Sequence, residues 1–503
     1  MAVPFKKDPI EFNQRVLFST NIFDLLPDGH ECYIYEEIFK QLDTTTVENN
    51  YSVLGQNAYH PRLIVSILIY AYSQGIFSSR QIEKRCHEDL GFMYMSHLDC
   101  PNFRVLSDFR KDNHEFFKEC FKQSALLAMG AGMASLGHVS LDGSKFKADT
   151  SKHKAMSYGR LKAKEKELTE EIEALMKKAE QCDSEEDDEY HNKTGYEIPE
   201  ELKIKGKRLA KIKAAKEALE KREQQLKVGK EIDDKKQISF ADDEARIMGK
   251  KDDFQYAYNG QITVDKDNQI IVGEHLTQSA NDKQEVTPAL QEIQETTSKV
   301  PDVMSLDNGY MSGSNLEAFN ETAIDAYIAT GKGESKDKRS LDESNREIKK
   351  SDFTYDTERD CFICPTGHTL ELRNRTGDDK KTYQARGDSC DQCCYRSRCC
   401  KSKKGEPRTI TTDDKEPLRQ KMVEKMNQES SQEIYKERKA IVEPVFGQIK
   451  KNIGFRGFSV RGFIKARGEF SLVCAAYNIK KVVKSIGYAF PRLKQGKGVP
   501  VVA

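Results

Sequence analysis

The sequence carries no net charge, because 81 Lys and Arg balance 81 Asp and Glu. That excludes a uniformly basic nucleic-acid coat protein, though not a patchwork of basic and acidic faces. No apolar run is long enough for a membrane span; the longest, Leu63 to Tyr72, is about half of what one needs. The start, MAVPFKKDPIEF, has no apolar stretch of the kind found in signal peptides. These absences predict a cytoplasmic protein with no membrane partner. There is no Walker motif, since Gly331-Lys332-Gly333 lacks the upstream glycine and the Ser/Thr. Gly130, Gly132 and Gly137 follow a helical stretch and make a poor dinucleotide fingerprint, so neither ATP nor NAD dependence is indicated. Hydrophobic residues reach only 37% against 32% charged, so part of the 503-residue chain should be solvated helix rather than core.

The character of the chain then changes several times. Residues 1–135 read as helical: an apolar run follows Pro61, Ser78 and Gln81 fit a capping box, and Phe103, Leu106, Phe109, Phe116, Phe117 and Phe121 recur at helical spacing. Arg80, Lys84, Arg85, Arg104, Arg110 and Lys111 decorate these helices, as on a solvated basic face or in an N-terminal DNA-binding domain of helix-turn-helix kind. In residues 153–235, Leu161, Leu168 and Leu175 lie seven apart, and Leu202, Leu209, Ile212, Leu219 and Leu226 form a second run. With the acidic stretch 183–189 between them, they predict an antiparallel coiled-coil hairpin, an exposed spacer or dimerisation arm in preference to a DNA-contacting arm. Residues 335–425 read as irregular, polar and Cys-rich. With both insertions set aside, the order is strand (138–142), a β-hairpin over 254–277, helix, strand (302–306), helix, strand (326–329), helix (430–452). Three antiparallel strands followed by alternating helix and strand make an α/β layer with a mixed sheet, in the order of the ribonuclease-H-like fold. The expected core spans 136–152 and 236–334, its C-terminal part 426–490, and a tail 491–503.

Two short strands close on an acid and a turn: Asp142 in SLDGS and Asp307 in SLDNGY. Ligands gather at the carboxyl ends of strands in α/β sheets. Two carboxylates there repel unless a divalent cation lies between them, and Asp oxygens suit Mg²⁺. A third carboxylate is needed to hold a second ion for two-metal phosphoryl transfer. Glu443 is the best candidate. It lies in a stretch where Tyr435, Arg438, Glu443 and Lys450 interleave with apolar Ile434, Ile441, Val442, Val445, Phe446 and Ile449. Lys450 follows Glu443 by two turns if the helix is continuous, and Pro444 biases the chain toward a kink at that point.

Cysteine is plentiful. Seven of the 13 lie between Cys361 and Cys400, and in a reducing compartment they are metal ligands or free thiols rather than disulfides. Cys361-Phe-Ile-Cys364 and Cys390-Asp-Gln-Cys393 are two knuckles with zinc-ribbon spacing. Their four thiolates suit a structural Zn²⁺, because no open coordination position remains. His368, Cys394, Cys399 and Cys400 compete for one ligand position, with Cys399 the foremost rival.

From His60 to Tyr488 the chain resembles the bacterial insertion-sequence transposases of the DDE type. The likeness rests on HPRLIVSILIYAYSQGIFSSRQIEK, NFRVLSDFR, LDGSKFKA, DDEARIMGKKDDFQYAYNGQITVD, SANDKQ, SLDNGY, the Cys-rich insert and RKAIVEPVFGQIKKNIGFRGFSVRG. The late block resembles the family's Tyr-x2-Arg-x3-Glu-x6-Lys signature, except that four residues separate Arg438 from Glu443, so either Arg438 or Lys439 takes the basic position. The resemblance implies Asp142, Asp307 and Glu443 as catalytic ligands of Mg²⁺ or Mn²⁺. It also implies double-stranded DNA, as transposon ends and target, for a substrate.

From Lys439 to Lys497 there are 13 Lys and Arg against two acids, Glu443 and Glu469. Arg438, Lys439, Lys450, Lys451, Arg456, Arg461 and Lys465 are the expected DNA contacts. The expected protein is a transposase that cuts element ends and joins the released 3′-OH to target DNA. It would act as a homodimer or larger assembly on DNA, in the cytoplasm at the nucleoid. A ribonuclease-H-like nuclease without strand transfer and a catalytically inactive DNA-binding descendant are the rivals.

Overall fold

The computed structural model describes residues 22–51, 58–150, 155–187, 200–226, 231–249, 254–331, 346–376, 380–402 and 406–493. The start of the chain, residues 188–189 of the acidic stretch, and the tail from 494 lie outside the described residues.

Helices dominate the first part. The helix Pro61–Ser73 begins with proline, whose missing N–H costs nothing there, and the His60 ring accepts from the Arg62 N–H at 3.1 Å. The helix Phe103–Asp112 is capped by Asn102, which accepts from the N–H groups of Arg104 and Val105. Ser78 precedes the helix Ser79–Glu88 but its side chain makes no capping hydrogen bond, so the expected capping box does not form. These helices share one hydrophobic core with the sheet that follows. The long helix Phe463–Leu493 packs against Pro61–Ser73, against His114–Gly130 and against the sheet. Arg110, expected on the basic face, is buried in that junction. It donates to the Tyr72 hydroxyl at 2.7 Å and the Phe77 carbonyl at 2.8 Å, and faces the buried Glu469 at 3.8 Å. The acid compensates a charge that would otherwise be costly to bury.

The central sheet starts with β1 (His138–Lys147). The chain leaves it through β2 (Ala155–Ser157), runs along the helices Tyr158–Asp187 and Glu200–Leu226, and returns through β3 (Gln237–Ser239), the antiparallel partner of β2. It re-enters the sheet as β4 (Arg246–Met248) and the hairpin β5 (Gln255–Asp265) and β6 (Ile271–Thr277). The helix Val286–Thr297, β7 (Val303–Leu306), the helix Gly313–Asn320 and β8 (Asp325–Ile328) complete it. β6 and β4 pair with one side of β5, and β1 with the other; β1, β7 and β8 run parallel. The sheet is therefore mixed, with three long antiparallel strands beside two short parallel ones, in an α/β fold.

The two inserted helices pair antiparallel. Leu161, Leu168, Ile212, Ala215 and Leu219 form a buried seam with Ile238 of β3, and Lys216–Glu165 and Lys205–Glu171 bridge the helices at 2.9 and 3.2 Å. Among the described side chains the seam lies in the half near the sheet: Leu175 is half-buried and Met176 exposed.

The Cys-rich stretch is not irregular. It builds a second, antiparallel sheet: β9 (Thr354–Asp356), β10 (Cys361–Ile363), β11 (Thr369–Thr376), β12 (Lys380–Gln384) and β13 (Thr409–Thr412), in meander order. Its core is small, made of Ile348, Phe353, Phe362, Leu370, Tyr383 and Ile410. Strands such as TLELRNRT bury a single apolar side chain, too few to show an alternating pattern.

Candidate active site

The parallel ladder between β1 and β7 fixes two acids together. Leu141 pairs with Leu306, the last residue of β7, so Asp142 and Asp307 stand next to each other where that ladder stops. Asp142 does not end its strand, contrary to expectation. β1 continues to Lys147 because its other edge stays paired with β5, Asp142 opposite Ile262. Asp142 accepts from the Gly143 N–H at 2.9 Å, and Asp307 from the Gly309 N–H at 2.7 Å.

Glu443 comes from the helix Glu429–Gly447, which buries Ile441, Val442, Val445 and Phe446 and packs against β1 and β5. Pro444 lies inside this helix rather than breaking it. Proline cannot donate to the carbonyl four residues back, and the Gln269 side-chain amide donates to that oxygen, of Ala440, at 2.9 Å. Past Gly447 the chain forms a π-helical turn, Gln448–Ile453, so Lys450 is not two plain α-turns from Glu443. Lys450 turns inward, donating to Ser144 Oγ at 2.6 Å and the Lys145 carbonyl at 2.8 Å, with its Nζ 4.4 Å from the Phe146 ring centre. Burial lowers its ammonium to about 8.

Arg438 occupies the space between the acids. One of its nitrogens lies 3.2 Å from Asp142 and another 3.9 Å from Glu443, and its side chain is 5% exposed against 54% for Glu443. Its Nε is buried with no hydrogen-bond partner among the described residues. Burial pushes the Asp142 carboxyl up to about 6; Arg438 opposes the rise and Asp307 adds to it. Glu437, on the same helix, is held by His138 at 3.1 Å and Lys266 at 2.8 Å, at the opening end of β1.

A fourth carboxylate, Asp282 of SANDKQ, belongs to this cluster although sequence reasoning gave it no role. Asn259 and Gln261, both fully buried on β5, donate to its Oδ1 at 2.8 and 2.6 Å, and Lys145 approaches at 3.9 Å. The buried Tyr310 hydroxyl in turn donates to Gln261. The legible signal was Tyr258-Asn-Gly-Gln261: polar amides in an otherwise apolar buried strand need a partner. Glycines keep the space among these acids open. A side chain at Gly143 would meet Asp282 at 2.9 Å, and one at Gly309 would meet Asp307 at 2.8 Å and Asp282 at 3.3 Å.

Of the expected DNA contacts, Lys439, Lys451, Arg456 and Lys465 are exposed and make no ion pair with a described residue. Arg461 is exposed but pairs with Asp149 at 2.8 Å. Arg438 and Lys450 are turned into the protein.

The cysteines divide unevenly. All those described are free thiols. Cys364, Cys390, Cys393, Cys399 and Cys400 line one cavity of about 30 Å³ together with His368. Cys361 is not among them: on β10 it alternates with Phe362, which points into the small core, and its charged neighbours are Asp356, Arg359 and Asp360. Burial, with Cys400 alongside, pushes Cys390 up to about 11 and Cys399 to about 12. As the side chains stand, no three His, Cys, Asp or Glu among the described residues are arranged to hold a metal ion. No helix among the described residues is long and apolar enough to cross a membrane.

Two family matches bear on this geometry. Residues 363–483, which hold the thiol cavity and the Glu443 helix, match the family described as Transposase DDE domain. Residues 20–112, the N-terminal helices, match Transposase domain (DUF772). No curated protein matches the chain. The matches define an enzyme that acts on DNA, a transposase. Together the two matches cover less than half of the chain, and both support an insertion-sequence DDE transposase, a class that works with divalent metal ions.

Proposed function

We propose that Asp142, Asp307 and Glu443 are the catalytic acids of a transposase that cuts DNA at element ends and joins the released 3′-OH to target DNA. The observation that carries this is the register of β1 on β7, which sets Asp142 beside Asp307, with Arg438 linking Asp142 to Glu443. The strand order, three antiparallel then two parallel, supports a ribonuclease-H-like core. Asp142, Asp307 and Glu443 would hold two divalent cations, Mg²⁺ or Mn²⁺. The glycine-lined gap fits that role, since a cation held between the carboxylates would relieve their mutual repulsion. Such ions, when bound, neutralise charge on the reacting phosphate.

The chain's own residues do the rest. Asp282, fixed by Asn259 and Gln261, orients the groups beside Asp142 and Asp307. Lys439, Lys451, Arg456 and Lys465 take phosphates of double-stranded DNA, leaving the acids free of that task. In the joining step the 3′-hydroxyl oxygen forms a new bond to the target phosphorus. The phosphorus–O3′ bond of the target breaks, and the proton lost by the attacker passes through solvent to the leaving oxygen. We further read the second sheet as a zinc-ribbon-like module holding a structural Zn²⁺, and the helical hairpin as a coiled-coil arm for dimerisation on DNA at the nucleoid.

The test is incubation with candidate element ends and Mg²⁺, resolving the cleaved strands, followed by pre-cleaved ends with a target plasmid. Cleavage without joining makes the protein a nuclease; neither, in the presence of binding, makes it an inactive descendant.

A further inference from the structure

The second sheet brings five of its seven cysteines to one place, and they are not the two knuckles the spacing suggested. Cys364 follows β10 and opens the turn Pro365-Thr366-Gly367. Gly367, at a φ of 85° that disfavours any side chain, closes it with its N–H on the Cys364 carbonyl at 2.8 Å. The turn aims the His368 N–H at Cys364 Sγ, 3.3 Å away. The Thr366 hydroxyl lies 3.0 Å from Cys364 Sγ and 3.9 Å from Cys393 Sγ, so it spans the gap between the two segments. Cys390 and Cys393 sit on a matching turn, the Cys393 N–H on the Cys390 carbonyl at 3.3 Å. The short helix Arg396–Cys399 then folds Cys399 and Cys400 back against Cys390.

We propose that one Zn²⁺ is held here by Cys364, Cys390, Cys393 and a fourth thiolate from the Cys399-Cys400 pair, and that Cys361 takes no part. The proposal rests on the zinc-ribbon reading above and assigns its ligands. The cavity, about 30 Å³, suits a single ion and is too small for an organic ligand. Four soft thiolates select a tetrahedral soft metal and leave no open position, so the ion is structural. It ties β10 to the loop after β12, two segments otherwise joined through a core of six buried side chains. Cys390 and Cys399 each hydrogen-bond with Cys400, so the thiols already converge.

The experiment uses the full-length chain, with zinc measured by elemental analysis of purified protein and Co²⁺ titrated into chelator-stripped protein. Wild type and Cys361→Ser should each hold about one zinc per chain and give the same thiolate-to-Co²⁺ charge-transfer intensity. Cys364→Ser, Cys390→Ser, Cys393→Ser and the double variant C399S/C400S should lose the zinc and lower that intensity. Loss in Cys361→Ser, or retention in the double variant with an unchanged cobalt spectrum, overturns the ligand set while zinc binding stands. Wild-type protein without zinc and without a cobalt band overturns the zinc reading itself. The cobalt spectrum is read on soluble protein with wild-type far-ultraviolet circular dichroism, which separates ligand loss from unfolding.

Discussion

The two proposed cation sites are built in opposite ways. The acidic one draws Asp142, Asp282, Asp307 and Glu443 from points spread over the whole chain and keeps an arginine among them. The thiol one takes all five of its cysteines from a single stretch, Cys364 to Cys400, and is small. Hard oxygens around an open gap suit an ion that must meet substrate; soft sulfurs around a small one suit an ion that holds chain together. The difference is one of role: the first pocket is tuned by charge, the second by geometry.

The comparison breaks first at the acids. Asp142→Asn, Asp307→Asn and Glu443→Gln should each lower cleavage and joining by about two to three orders of magnitude or more, measured as strands cut and transferred in Mg²⁺. DNA affinity measured without metal should barely change, since carboxylates repel phosphate. A Glu443→Gln protein as active as wild type would hand the third position to Asp282.

Asp282 should give a smaller effect. If it only orients its neighbours, Asp282→Asn costs about 10–100-fold, as outer partners of metal ligands do. Mn²⁺ binding followed by electron paramagnetic resonance should weaken in step with activity. Unchanged Mn²⁺ affinity would reduce Asp282 to a packing role.

Charge tuning also has a sign. Asp142 is raised to about 6 by burial, so the folded protein holds its proton more tightly than the unfolded chain does. That contribution favours folding below the ordinary carboxylate pKa and is lost as pH rises through 6. Metal-free Asp142→Asn should therefore melt above wild type at pH 7.5, and the gap should narrow as pH falls through 6 and close only below the ordinary carboxylate pKa, about 4. A gap independent of pH would mean that Asp142 is ionised throughout.

The smallest effect lies on the surface. Lys465→Ala or Lys451→Ala should lower the slope of log affinity against log salt by up to about one. Arg461→Ala should lower it less, because Arg461 already pairs with Asp149. Equal slopes for all three variants would show that this ion pair opens on DNA.

What was legible in the sequence follows the range of the contacts. The order of strands, Asp142, Asp307, and the clustering of cysteines were readable because each sits in its own short segment. The extension of β1 past Asp142 was not, because it depends on pairing with β5 more than a hundred residues later. Cys361 looked like a ligand by spacing, yet one step of strand alternation turns it from the cavity. Arg110 looked like surface until Glu469, far along the chain, supplied its counter-charge. Asp282 gained meaning only through two amides on a neighbouring strand.

Pro444 shows the same dependence in mechanical form. The residue beside the third acid has given up its own rung of the helical ladder, and the missing rung is supplied by Gln269 from the tip of the β5–β6 hairpin. The helix is thus spliced to the sheet three residues before Glu443. The position of the acid is thereby referred to the hairpin of the central sheet. A shorter side chain at position 269 would leave the fold standing and set the third acid adrift.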